Sequence, residues 1–418
     1  MDDPNRLTLA GKQVFWDWIT PTVYQSQSYT PTAFEPERPD PLAAPIILPQ
    51  EQPAPELQLP APGQFGLVGR QVELANLERL LGDSATVLLT GNTGSGKTEL
   101  SLGLARWFMR IGQAQRPGGV FYTTFEASNP SGLERIVHEI GTTVIGLNFA
   151  DMNFGQQRQW AVEYLQEHRS LLIWDNLENA AGFPSGSPGL LEESEQYELN
   201  SFLSEVTQDG QSWALLVSRG QTEHWLSIPH ATEELSGLKG RDRTELAAQI
   251  LDKGGVDPSR IGPELLDLLD LIQGHPLAMQ IALPMLKDVP ISALLAELGK
   301  TLADLPDTAQ EAGRDPYLTA LMEYSWGRMS RRSRTHLPFL SMFQRRVMLD
   351  ILNHMTSEQA YRTVMGEELG WGACRTLLRS AQAAGFLELV SPSVYQIHPA
   401  LPWFYGRKLG QQAPAARV

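Results

Sequence analysis

A single cysteine, Cys374, stands among 418 residues. Without a second one no intramolecular disulfide can form, and no cysteine-rich metal site can be assembled. A reducing, cytoplasmic setting is expected. No apolar run is long enough to cross a bilayer, and Met1-Asp2-Asp3-Pro4-Asn5 has neither the basic flank nor the apolar core of an export signal, so no membrane partner is expected. A basic excess is missing as well, since 33 Lys and Arg face 48 Asp and Glu for a formal charge of −15. That surplus repels a polyphosphate backbone at long range, which argues against nucleic acid and for proteins as partners. What is plentiful is apolar matter, 42% of the chain, enough at this length for about two to four domains.

One short stretch carries chemistry. Thr86 to Thr90 is an apolar run of strand formers, and it breaks at Gly91-Asn92-Thr93-Gly94-Ser95-Gly96-Lys97-Thr98. From Glu99 to Ile111, Leu100, Leu102, Leu104 and Trp107 can form the inward stripe of a helix. Gly-x4-Gly-Lys-Thr between a strand and a helix is the P-loop pattern, in which backbone N–H groups and a helix N-terminus surround a phosphate. Lys97 is expected to reach the β- and γ-phosphates of ATP or ADP, and the Thr98 hydroxyl to bind Mg²⁺.

Two further strands end in polar groups. Ser170 to Asp175 is a buried parallel strand with an acid at its C-terminal tip, where ligands bind in doubly wound sheets, so Asp175 is expected beside Thr98 in the Mg²⁺ shell. Trp213 to Ser218 is another such strand, followed by Arg219. Gly119 to Thr124 and Thr232 to Leu235 also read as strands, with helices near 132–145, 156–168 and 192–205. From Asp242 the pattern is purely helical, interrupted at Gly274-His275-Pro276, a proline at a helix start. Helices near 317–326, 331–341, 357–364 and 369–384, then strand-like runs at 386–390 and 394–397, make a winged helix. The helix before the wing offers only Arg375 and Arg379 to DNA, while residues 326–346 hold six arginines and no acid, a solvated or interdomain basic face. At the front, residues 1–65 contain 12 of the 29 prolines, an extended linker.

Several of these motifs, in this order, resemble the STAND class of signalling P-loop ATPases, which includes the NB-ARC proteins of plant immunity and animal apoptosis. The resemblance covers roughly residues 66 to 405. It implies that Val68, Gly69 and Arg70 line the adenine pocket ahead of the P-loop. Pro276 would pack on the adenine and Arg219 would sense the γ-phosphate, the alternative for Arg219 being a partner for carboxylates at the sheet edge. His398, at the end of the wing, would touch the β-phosphate of ADP, although Ile397 and Pro399 depart from the class motif. Much of the class carries a second acid after the one at the strand tip, whereas here the position is Asn176. An amide accepts no proton at neutral pH, so hydrolysis is slow or uses Glu178. Asp175, Glu178 and Arg219 are thus the candidate catalytic residues, for a weak ATP hydrolase at most.

The expected architecture is an α/β P-loop parallel sheet over 61–235, an all-helical domain over 236–312 and a winged-helix domain over 313–410, with an N-terminal segment and linker at 1–60 and a tail at 411–418. The expected function is a signalling or defence switch, closed with ADP and opening or forming homo-oligomers with ATP. The alternatives are an AAA+ ATPase whose winged helix grips DNA and a scaffold that holds ADP without turnover. Val14 to Gln25, with Trp18, Pro21 and Tyr24, resembles the last segment of CHAT domains, the caspase-like proteases of bacteria, and otherwise reads as an aromatic stretch docking on this chain's own core. Effector and sensor parts are expected beyond both ends.

Overall fold

Thr86–Thr90 (β1), Gly119–Thr124 (β2), Ser170–Asp175 (β3), Trp213–Val217 (β4) and Ala231–Glu234 (β5) form one sheet. Its order is β2-β3-β4-β1-β5 and its pairings are parallel. β1 and β3 are buried at every position, as strands covered on both faces must be. Successive side chains point to opposite faces. Leu88, Leu172, Trp174, Ala214 and Leu216 therefore join one buried cluster, while Val87, Leu89, Leu171, Ile173, Leu215 and Val217 join another. Gln71–Ser84 (α1) and Lys97–Ile111 (α2) cover the second face; Leu133–Val144 (α3), Phe154–Glu167 (α4) and Glu193–Thr207 (α6) cover the first, with the short Glu178–Ala181 (α5) after β3. The α/β class expected from the sequence is the one observed.

The computed structural model describes residues 59–114, 118–125, 132–182, 189–219, 224–257, 262–303, 316–343, 346–397 and 401–412. The aromatic segment at 14–25, most of the proline-rich linker and His398 lie outside the described residues.

Beyond β5 come Gly240–Gly254 (α7), Glu264–Leu271 (α8), Pro276–Ala282 (α9) and Ile291–Ala303 (α10). Further helices at Pro316–Arg328, Arg331–His336, Leu349–Ser357, Gln359–Met365, Trp371–Ala383 and Leu401–Gln412 accompany a small antiparallel sheet. That sheet consists of Arg346–Met348 (β6), Leu387–Ser391 (β7) and Val394–Ile397 (β8) in the order β6-β8-β7. Buried residues from Leu238 to Tyr405 form one connected cluster. Two helices expected to run on are cut short by proline, which lacks an N–H and clashes with the preceding turn. α9 gives way to a 3₁₀ turn at Leu283–Lys287 containing Pro284, and the helix from Arg331 does the same at Leu337–Met342 containing Pro338. Leu349–Ser357, absent from the sequence reading, is a helix that buries Leu349, Leu352 and Thr356 on one face.

The segment that leads from β5 into α7 and the turn before α9 meet backbone to backbone. Leu238 N–H donates to the Gly274 carbonyl at 2.9 Å. Gly274 has φ +61°, and a Cβ placed there would stand 2.1 Å from the Leu238 carbonyl oxygen. Only glycine meets both demands. Gly274→Ala is expected to destabilise the protein by roughly 2–5 kcal/mol, the sum of a left-handed conformation and an overpacked contact. A lowered urea midpoint checks this, and an unchanged midpoint would mean the segments do not approach so closely.

Candidate functional site

Because every strand of a parallel sheet ends on the same edge, Thr90, Thr124, Asp175 and Val217 present their following residues to one crevice. The loop after β1 enters it with φ 147° at Gly91, 83° at Gly94 and 97° at Gly96, values that side chains resist. Gly96 caps α2, and Lys97 is its first residue.

The loop's carbonyls are held one after another. Lys97 Nζ donates to the Gly91 and Asn92 carbonyls at 2.6 and 2.9 Å. His275 Nε2 bonds to the Thr93 carbonyl at 3.0 Å, and Arg70 Nη2 donates to the Ser95 carbonyl at 3.1 Å. In a trans peptide the C=O and the next N–H point opposite ways. Holding Thr93 and Ser95 by their oxygens thus aims the N–H groups of Gly94 and Gly96 away from His275 and Arg70, in the manner of an anion-binding nest. The same Arg70 guanidinium donates to the Ser236 carbonyl at 2.5 Å and to Glu73 Oε1 at 2.7 Å.

Around the loop each acid is held by donors, and one of them is paired with a cation. Asp175 Oδ2 accepts from the Thr98 hydroxyl and from the Tyr122 hydroxyl, each at 2.8 Å, and Oδ1 accepts from Asn176 N–H at 2.9 Å. Asn176 has φ 56° and donates its side-chain amide to Thr124 Oγ1 at 3.0 Å; asparagine is the non-glycine residue that tolerates this backbone best. Glu178 is 3% exposed, its Oε1 2.7 Å from Arg219 Nε and its Oε2 accepting from Arg219 N–H at 3.2 Å. Burial is the main influence on Lys97 and pulls its pKa down to about 8; Glu178 and Asp175 partly offset this, and Arg219 adds to it. Lys97, Asp175, Glu178 and Arg219 therefore share one electrostatic site.

Val68 packs against the cluster of the helical half. Gly69 and Arg70 are both left-handed, and a Cβ on Gly69 would meet Asp242 at 2.4 Å. Arg70 turns its guanidinium onto backbone carbonyls and Glu73. Pro276 opens α9, and the residue that reaches the P-loop is its neighbour His275. Sequence reasoning missed His275 and Tyr122; a lone tyrosine near the end of an apolar strand was the available signal for the second. A cavity of about 790 Å³ between α3, α4 and α6 shares no residue with the loop.

No protein-family model and no curated protein sequence matches this chain. Among solved structures, a STAND protein with a tetratricopeptide-repeat sensor from Pyrococcus horikoshii is 14% identical, with TM-score 0.46 over 84% of this chain and 46% of its own. The chain thus spans under half of that protein's length. The Aeropyrum pernix ORC2 protein is 16% identical, with TM-score 0.37 over 86% of this chain and 96% of its own. A Walker-type ATPase of Pyrococcus abyssi is 14% identical, with TM-score 0.38 over 83% and 98%.

The lowered Lys97 pKa makes stability depend on pH in a stated direction. Below pH 8 the ammonium is protonated folded and unfolded alike. Between about 8 and the ordinary value of 10.5 the unfolded chain holds a proton that the folded one has released, so stability rises with pH. Relative to Lys97→Met, the wild type is expected to gain of the order of 2–3 kcal/mol from pH 7 to 10.5, measured by urea unfolding; a flat difference would place the ammonium in solvent.

Proposed function

We propose that the chain is a P-loop nucleotide switch of the STAND type, which binds ATP or ADP with Mg²⁺, stays closed with ADP and opens or self-associates with ATP. One observation carries this reading: Lys97 and Thr98 meet Asp175 at the C-terminal edge of a parallel sheet, just after a loop gripped from the helical half by His275. Nucleotide phosphate would take Lys97 from the Gly91 and Asn92 carbonyls. Adenine would lie between residues 68–70 and Pro276, and the three units would be 61–235, 236–312 and a winged helix over 313–410.

Thr98 Oγ1 and Asp175 Oδ2 are 2.8 Å apart, a pair of oxygens that suits Mg²⁺, which takes one or two protein oxygens beside phosphates and water. The bound ion supplies neutralising charge to the β- and γ-phosphates. Arg219 and Glu178 hold each other in this arrangement. A γ-phosphate would draw Arg219 away and leave Glu178 free to orient water, whereas ADP would leave the pair intact. Asn176 accepts no proton and donates its amide to Thr124, so hydrolysis on this reading is slow or uses Glu178. His398 would add the closing contact to ADP.

Lys97→Ala is expected to abolish ATP and ADP binding in a calorimetric titration, and unchanged affinity would sink the reading. Asp175→Ala is expected to weaken binding mainly when Mg²⁺ is present; equal losses with and without the metal would remove its metal role.

A DNA-gripping AAA+ protein is the second reading, favoured by Arg375 and Arg379, which line a groove of about 460 Å³ with Leu389 and Tyr395. The net charge of −15 opposes it. No duplex DNA should be retained at physiological salt. A salt-sensitive complex lost on replacing both arginines would put this second reading first.

A further inference from the structure

We propose that His275 is a positioning residue for the phosphate loop, and that through it the helical half of the chain both sets and reads the loop's affinity for nucleotide phosphate. This rests on the nucleotide reading above and adds a residue and a direction of coupling to it.

His275 is 4% exposed and both of its ring nitrogens are engaged. Nδ1 accepts from Ala278 N–H at 3.2 Å, capping α9. A ring nitrogen that accepts carries no proton, so in the neutral ring the hydrogen is on Nε2, which donates it to the Thr93 carbonyl at 3.0 Å. One imidazole thus joins the first turn of α9 to the peptide between Thr93 and Gly94. A cap alone does not call for histidine, since asparagine or serine does that task at least as well. The length of the ring is what reaches Thr93.

Packing makes the joint stiff. A Cβ on Gly94 would stand 2.5 and 2.6 Å from Leu277 side-chain atoms and 3.0 Å from His275 Cε1. With no room between loop and helix, neither can shift without the other. Rotating the Thr93–Gly94 peptide would swing its N–H and break the bond to His275 together, so occupancy of the loop and position of α9 are linked. Linkage is reciprocal: what stabilises the bond tightens phosphate binding, and bound phosphate must hold α9 in place.

Two substitutions separate the two ends of the ring. His275→Asn keeps an acceptor for Ala278 N–H but falls short of Thr93, whereas His275→Gln places an amide N–H near the position of Nε2. In full-length protein titrated with ADP and Mg²⁺, His275→Asn is expected to bind about three- to tenfold more weakly, the worth of one neutral hydrogen bond, and His275→Gln to recover most of that loss. In the wild type, ADP is expected to slow amide hydrogen exchange across Leu277–Ala282, and His275→Asn to lose that slowing. A wild type that binds ADP without slower exchange in α9 overturns the proposal with no variant needed. Equal affinities for wild type and His275→Asn overturn it too, as does a Gln variant no better than Asn. A wild type that binds neither ADP nor ATP overturns instead the nucleotide reading beneath it.

Discussion

A turn in which glycines alternate with small polar residues has little side-chain surface with which to pack, so its shape depends on what holds its peptide groups. Here four carbonyls of the loop, at Gly91, Asn92, Thr93 and Ser95, take donors from Lys97, His275 and Arg70. Burying such groups without partners would cost about 1–3 kcal/mol each. The loop therefore obliges the turn before α1 and the start of α9 to converge on it and on the first turn of α2, which follows it directly. The glycine contacts at 69, 94 and 274 follow from that convergence, because each marks a place where backbone or side chain comes too close for a Cβ.

Charge is handled by the same economy. Four charged side chains, Lys97, Asp175, Glu178 and Arg219, crowd the sheet edge, yet Asp175 accepts three hydrogen bonds and Glu178 is matched to Arg219. Lys97 is the member left at a loss, with neutral carbonyls for ligands and a pKa reduced by burial. An anion arriving at the loop would offset that deficit, which is the electrostatic preparation that the proposed function calls for. Asn176 is part of the preparation: its left-handed backbone and its amide bond to Thr124 tie β3 to β2 just beyond Asp175.

What could be read from the sequence was what is local. Strand, loop and helix around Lys97 follow from spacing and periodicity over two dozen residues, and Asp175 from an apolar run that ends in an acid. Pro284 and Pro338 were visible as helix breakers, and the helical pattern around them masked the break. The direction of the Arg70 guanidinium, the Tyr122 hydroxyl on Asp175 and the reach of His275 to Thr93 have no local signature. They arise where segments far apart in the chain are pressed together, and residue propensity carries no information about that.

That distance has a consequence for how the molecule is built. His275 lies 182 residues from Thr93, and Ser236 lies 166 from Arg70. Closing such loops costs chain entropy that is recovered only when the contact forms. The Thr93 carbonyl acquires its donor only once the segment that reaches α9 has docked. The shape of the loop is therefore complete only when the start of α9 is in place.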